Sequence, residues 1–160
     1  MIFCHIICMI WLLYKINNYS KSRKLMNTKT ITPFDILINW QQQLNEGNLL
    51  GVLKLYNSSC VLIPTFSEEI FIDHEQIKEY FIKVIEVQKG KVEFQTNSIS
   101  EWQVGENNFL LSGKYFFYLK ENEKIPARFS FLVNPYSDNP IMHHHSSRSI
   151  GILSDIVNRE

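Results

Sequence analysis

FLLSGKYFFYL at residues 109–119, ARFSFLV at 127–133 and IMHHHSSRS at 141–149 decide the fold. Side chains alternate across a strand, so each stretch divides into two faces. In the first, Tyr115, Phe117 and Leu119 oppose Lys114, Phe116 and Tyr118. In the second, Ala127, Phe129 and Phe131 oppose Arg128, Ser130 and Leu132. In the third, Met142, His144 and Ser146 share a face, against Ile141, His143, His145 and Ser147. Large apolar residues stand on both faces, and both need cover. Helices of the same chain would cover the concave face and a second subunit the convex one; a two-layer monomer with an aromatic-rich surface is the other solution.

Upstream of these strands the spacing turns helical. Thr32-Pro33 has the form of a helix start, with Thr as N-cap and Pro at the first helical position. Leu37, Ile38, Trp40 and Leu44 follow near helical spacing, and Glu46-Gly47-Asn48 reads as a stop. Leu50, Leu53, Leu55 and Tyr56 predict a second short helix, and Cys60–Ile63 a short strand ended by Pro64. Asp73 can cap a third helix, with Ile77, Tyr80, Phe81, Val84 and Ile85 on one face and a break at Lys89-Gly90. A strand is expected from Val92 toward Trp102. Three helices followed by long strands predict an α+β fold with a strongly curved antiparallel sheet.

The chain has 160 residues, enough for one domain with a short extension. Apolar residues make up 45% and charged residues 20%, which excludes a disordered chain. Sixteen basic residues balance sixteen acidic ones, so no electrostatic footprint for nucleic acid exists. Cys4 and Cys8 lie at the N-terminus and leave Cys60 alone in the body, where it reads as a small buried hydrophobe in a reducing compartment.

Residues 1–25 form a separate question. Ile2–Tyr14 is almost wholly apolar and a basic stretch follows. About 20 apolar residues are needed to span a bilayer, and this run is shorter. It lacks a positive n-region and small residues at a cleavage site. Three readings fit: a short membrane anchor, a signal-like segment, or a stretch preceding a true start at Met26, from which the chain runs smoothly into the first capped helix. The expected organisation is this extension, a domain over 26–152, and a polar tail over 153–160. The expected location is cytoplasmic, with membrane attachment or export only through residues 1–25.

Arg128 stands in the middle of an apolar strand. A charge there is paired, reaches water, or faces a wet pocket, where its planar fork matches a carboxylate. His143 and His145 share a face and could meet one ion, but no third ligand lies nearby in sequence, so no metal is expected. His144 and His145 are candidates for a general base, because imidazole titrates near neutrality. No glycine-rich phosphate loop, carboxylate pair or cofactor motif is present, and no cofactor is expected.

The segments Trp40…Leu44-Asn45-Glu46-Gly47-Asn48, Leu55-Tyr56, Val61–Ser67, Ile77–Phe81, Gly113-Lys114-Tyr115, Ala127–Phe131 and His144–Ser147 together resemble the bacterial branch of the calcium/calmodulin-dependent protein kinase II association-domain family. That family belongs to the SnoaL-like, nuclear-transport-factor-2-like superfamily. The resemblance runs from about Thr32 to Ser149. It implies a cone-shaped, cystatin-like α+β fold, homodimers or larger rings built through the sheet, and a deep pocket between sheet and helices. In the kinase hub, arginines in that pocket bind small carboxylates. Arg128 falls on one matching position and Lys114 near another, with His144, Ser146 and Tyr118 completing the expected ligand set. The Gly-Lys-Trp turn common before the last strand is replaced by Ser137-Asp138-Asn139-Pro140, and Ile150 stands near a proline position of relatives. No kinase domain is present, so kinase activity is not expected. The expected function is an oligomeric binding domain for a small anion. The alternatives are a SnoaL-like isomerase or cyclase with a histidine base, and a pure oligomerisation module.

Overall fold

The computed structural model describes residues 31–120 and 123–149. The expectations for residues 1–25, for a start at Met26 and for the tail from 153 lie outside them. Helix α1 (Pro33–Asn45) begins at a reciprocal cap: the Thr32 hydroxyl accepts from the Asp35 N–H, and the Asp35 carboxylate accepts from the Thr32 N–H at 2.9 Å. It ends at Gly47, whose φ of +74° is inexpensive only for glycine. Helix α2 (Leu49–Leu55) is capped by Asn48 and α3 (His74–Ile82) by Asp73. A wider π turn over Lys83–Val87 then carries the chain out of α3.

Six strands form one sheet: β1 (Tyr56–Ile63), β2 (Lys91–Phe94), β3 (Ser100–Val104), β4 (Asn108–Tyr118), β5 (Lys124–Val133) and β6 (Ile141–Arg148). The order is β1-β6-β5-β4-β2, and β3 also pairs with β4. Three details differ from the sequence expectation. The sheet is mixed, because β1 lies parallel to β6; everything from α3 to β5 intervenes, ample length for the crossover a parallel pair needs. Tyr56 opens β1 and does not close α2, since its backbone is already extended. The strand expected from Val92 to Trp102 is two strands, split by a turn over Thr96–Ser98. The Ser98 hydroxyl holds that turn, donating to the Gln95 carbonyl at 2.7 Å and accepting from the Lys114 N–H at 2.9 Å. The long β4 thus carries two short partners end to end.

The helices pack on one face of the sheet. Ile36, Leu37, Trp40 and Leu44 of α1 and Ile77, Tyr80 and Phe81 of α3 meet Leu111, Tyr115, Phe117, Phe129 and Phe131 of the strands. The Trp40 ring lies 5.3 Å from Phe131, 6.0 Å from Phe94 and 6.4 Å from Tyr115. Phe129 stacks on Tyr115 at 5.2 Å. Gly113 makes room for it: a Cβ there would stand 3.0 Å from the Phe129 ring and 3.2 Å from the Ile99 Cα. Among the described residues no helix is long and apolar enough to cross a membrane.

Candidate functional site: two faces of one sheet

Cross-strand register decides which expected site residues meet. Arg128 pairs with Lys114 on one side and with Ser147 on the other. His144 pairs with Phe131 and Ser146 with Phe129, residues of the inner face. Arg128 and Lys114 are exposed on the convex face, whereas His144 is 2% and Ser146 4% exposed beneath the helices. The expected single cavity, with Arg128 and His144 on its walls, is therefore corrected to two separate sets on opposite faces. A bulge contributes a second correction. Val133 pairs with Ile141 and Leu132 with His143, so Met142 is an extra residue. Ile141 is buried and Met142 exposed, so Met142 does not share the His144 face.

On the inner face a hydrogen-bond chain runs from α1 to β6. The Trp40 indole N–H donates to the Tyr56 hydroxyl oxygen at 3.0 Å, and that hydroxyl lies 2.8 Å from His144 Nδ1. Indole is only a donor. If the Tyr56 hydroxyl donates to Nδ1, the chain leaves one polar atom unmatched, an Nε2–H. If Nδ1 carries the proton, both the Tyr56 proton and the Nε2 lone pair go unmatched. The first arrangement wins, because each unmet buried polar group costs about 1–3 kcal/mol. His144 is then a neutral imidazole with its proton on Nε2, and Nε2 has no partner among the described residues. Burial holds its pKa well below the ordinary histidine value, and neighbouring His143 and His145 press it the same way. A second polar knot lies beside it: Ser146 is hydrogen-bonded to both the Tyr115 hydroxyl and the Thr65 hydroxyl.

On the convex face the register lays out rows. Val61, His143, Leu132, Leu110 and Trp102 form one, with Trp102 67% exposed. Ile63, His145, Ser130, Ser112 and Ser100 form the next, and Ser147, Arg128 and Lys114 the third. Tyr118 shares this face, but its hydroxyl donates to Glu93 at 2.5 Å, and that bond raises its pKa. Neither Arg128 nor Lys114 has a carboxylate of the described residues in ion-pair range; the ion pair among those residues is Lys78–Glu75, within α3. Among the described residues no three metal-ligating groups converge. Cys60 is buried, and burial pushes its thiol up to about 12, an inert state.

Trp40, Tyr56 and Thr65 escaped the sequence reading as polar partners. Trp40 and Tyr56 read only as apolar helix positions, and nothing in sequence brings either to His144.

No family model matches the chain, and no curated protein does. Solved structures do. A protein of Xanthomonas campestris, described as a calcium/calmodulin-dependent protein kinase II association domain, is 29% identical, with a TM-score of 0.63 over 72% of this chain and 84% of that one. An NTF-2-like protein of unknown function from Shewanella oneidensis is 19% identical, with a TM-score of 0.57 over 71% and 94%. A ketosteroid isomerase-like protein of Erwinia carotovora is 14% identical, with a TM-score of 0.57 over 78% and 99%. By its α+β architecture and these likenesses, the chain has the nuclear-transport-factor-2-like fold.

Proposed function

We propose that this domain is a self-associating binding module that pairs with a second copy through its convex sheet face and takes a small anion at Lys114 and Arg128. The observation that carries the reading is the composition of that face. In its row from Val61 to Trp102 the side chains of Val61, Leu132 and Leu110 are half-buried and Trp102 is exposed, and beside it two cations oppose each other across β4 and β5. Like charges directly opposite on a sheet are destabilising. An anion held by the guanidinium fork and the ammonium offsets that repulsion, with the Ser147 hydroxyl next to them. A two-fold pairing of this face would bring a second cation pair close, so the same anion would favour association. The name of the Xanthomonas relative, an association domain, agrees with this role.

The enzyme alternative loses ground at His144, one of its two candidate bases. A general base at His144 needs a lone pair on Nε2, and the hydrogen-bond chain puts the proton there.

Two measurements test the reading. Sedimentation of the full chain is expected to show a dimer, and Leu110→Asp with Leu132→Asp to give a folded monomer. A wild-type monomer, or a dimer untouched by both substitutions, refutes the pairing. Thermal unfolding is expected to rise with acetate, citrate or phosphate at constant ionic strength. A ligand at 100 times its Kd adds about 2.7 kcal/mol, a shift of several degrees for a domain of this size. Lys114→Ala with Arg128→Ala should abolish the rise; a rise that survives both would place the anion elsewhere.

A further inference from the structure

We propose that the outer edge of β3 is a self-pairing surface, to which a second copy of this chain adds its own β3, antiparallel about a two-fold axis at Trp102. This contact does not rest on the convex-face reading. An unpaired edge strand offers its backbone N–H and C=O groups to another strand, and folded proteins normally block it. The other two edges of this sheet carry such blocks. On β2, the Asn45 side chain binds both the N–H and the carbonyl of Val92, at 2.7 and 2.9 Å, and Gln41 accepts from the Phe94 N–H at 2.9 Å. On β1, Leu62 exchanges two backbone bonds of 2.9 Å with Phe71. The outer edge of β3 has no such cover among the described residues. All five residues of Ser100–Val104 are exposed, and the strand holds no proline, no cation and no bulge.

The register fixes which backbone groups are on offer. The Lys114 N–H donates to the Ser98 hydroxyl and its carbonyl accepts from the Gln95 N–H, so both Lys114 groups point away from β5. Alternation along β4 turns Ser112, Leu110 and Asn108 the same way. Their partners Ser100, Trp102 and Val104 therefore bond to β4, and Glu101 and Gln103 turn their N–H and C=O groups outward.

The strand is its own complement. With the axis at Trp102, Glu101 faces the second copy's Gln103 and Gln103 faces its Glu101, so both outward pairs close with two hydrogen bonds each. The Glu101 carboxylate then meets a side-chain amide donor. An axis at Glu101 would oppose two carboxylates, and one at Gln103 would set Glu101 against Gly105 of the turn. On the convex side the two Trp102 rings would face each other at a non-hydrogen-bonded position, where side chains stand closest. Trp102 is 67% exposed in the single chain, which leaves its ring open to that contact. Four bonds and one ring pair make a small interface, so this pairing belongs to concentrated protein.

The test follows amide exchange and sedimentation of the ¹⁵N-labelled full chain from about 10 μM to about 1 mM, the range in which a small interface fills. The Glu101 and Gln103 amides are expected to exchange fast in dilute protein and severalfold more slowly in concentrated protein. The Trp102 amide, bonded to β4, should be protected throughout. The sedimenting mass should rise toward twice its dilute value. Gln103→Pro removes one outward N–H at a position where an edge strand accepts proline, and its side chain lies on the face opposite the convex row. It should hold the mass at the dilute value. Failure of the convex-face reading alone gives a dilute monomer whose mass still doubles and still responds to Gln103→Pro. Amides at 101 and 103 that stay fast in concentrated protein overturn the proposal. So do amides already slow in dilute protein, which would mean that the chain covers this edge itself. A doubling that survives Gln103→Pro also overturns it, and the wild-type amides decide if that variant fails to fold.

Discussion

Trp40→Ala is expected to cost about 3–5 kcal/mol of unfolding free energy, the range for removing a large aromatic from a packed core. Small domains are stable by about 5–15 kcal/mol, so this one substitution takes a large share of the total. Trp40 is fully buried, and five rings touch it: Phe81, Phe94, Tyr115, Phe131 and His144. Those rings come from α3, β2, β4, β5 and β6, so the indole is where helices and sheet meet. Part of the loss is volume, because β-sheet backbone under those rings cannot collapse into the gap. The rest is the missing indole N–H, which leaves Tyr56 one donor short. Trp40→Phe separates the two parts. It keeps most of the ring volume and loses only the donor, at about 1–2 kcal/mol. Urea unfolding of both variants reads the difference. A cost below about 1.5 kcal/mol for the alanine variant would mean that Trp40 does not join the layers.

The same residues show how far the sequence could be read. Alternation divided β4 and β5 correctly: Tyr115, Phe117, Ala127, Phe129 and Phe131 all point inward. The helix starts at Thr32 and Asp73 were legible because capping is local chemistry, settled within four residues. What alternation could not supply is register. Arg128 belongs with Ser147, and a slip of one residue would have set it against Ser146 and inside the cone. The bulge at Met142 is invisible for the same reason, since it is a mismatch between two strands and leaves no mark on either. Tyr56 failed differently. Its neighbours Leu53 and Leu55 keep helical spacing, and only pairing with β6 makes the backbone extended there. Long-range pairing also explains why the Trp40–Tyr56–His144 chain was not foreseen: Tyr56 and His144 meet only because the chain returns parallel to β1.

Acid should destabilise this domain through His144, and His144→Phe should remove that part of the pH dependence. Burial holds the folded-state pKa of His144 below the unfolded value of about 6.5. Above that value the imidazole is neutral in both states and contributes no pH dependence. As pH falls below it, the unfolded chain takes up a proton that the folded chain refuses. Stability is then lost by up to about 1.4 kcal/mol per pH unit, until the folded pKa is reached. His143, also lowered by burial and by His145, adds a smaller contribution of the same sign. The other titratable groups packed inside do not compete. Burial raises Tyr56, Tyr80, Tyr115 and Cys60, so all four stay neutral across this window. Phenylalanine at 144 keeps the aromatic stack on Phe131 but leaves the Tyr56 hydroxyl without its acceptor. That penalty does not vary with pH over this range. The variant should therefore be less stable near pH 7.5, yet lose less between pH 7.5 and 5 than the parent chain. Urea midpoints at the two pH values, for both proteins, measure the slopes directly. Equal slopes would show that His144 takes up its proton as readily folded as unfolded. Such an imidazole would have to be reached by water, which contradicts its burial between Phe131 and Trp40.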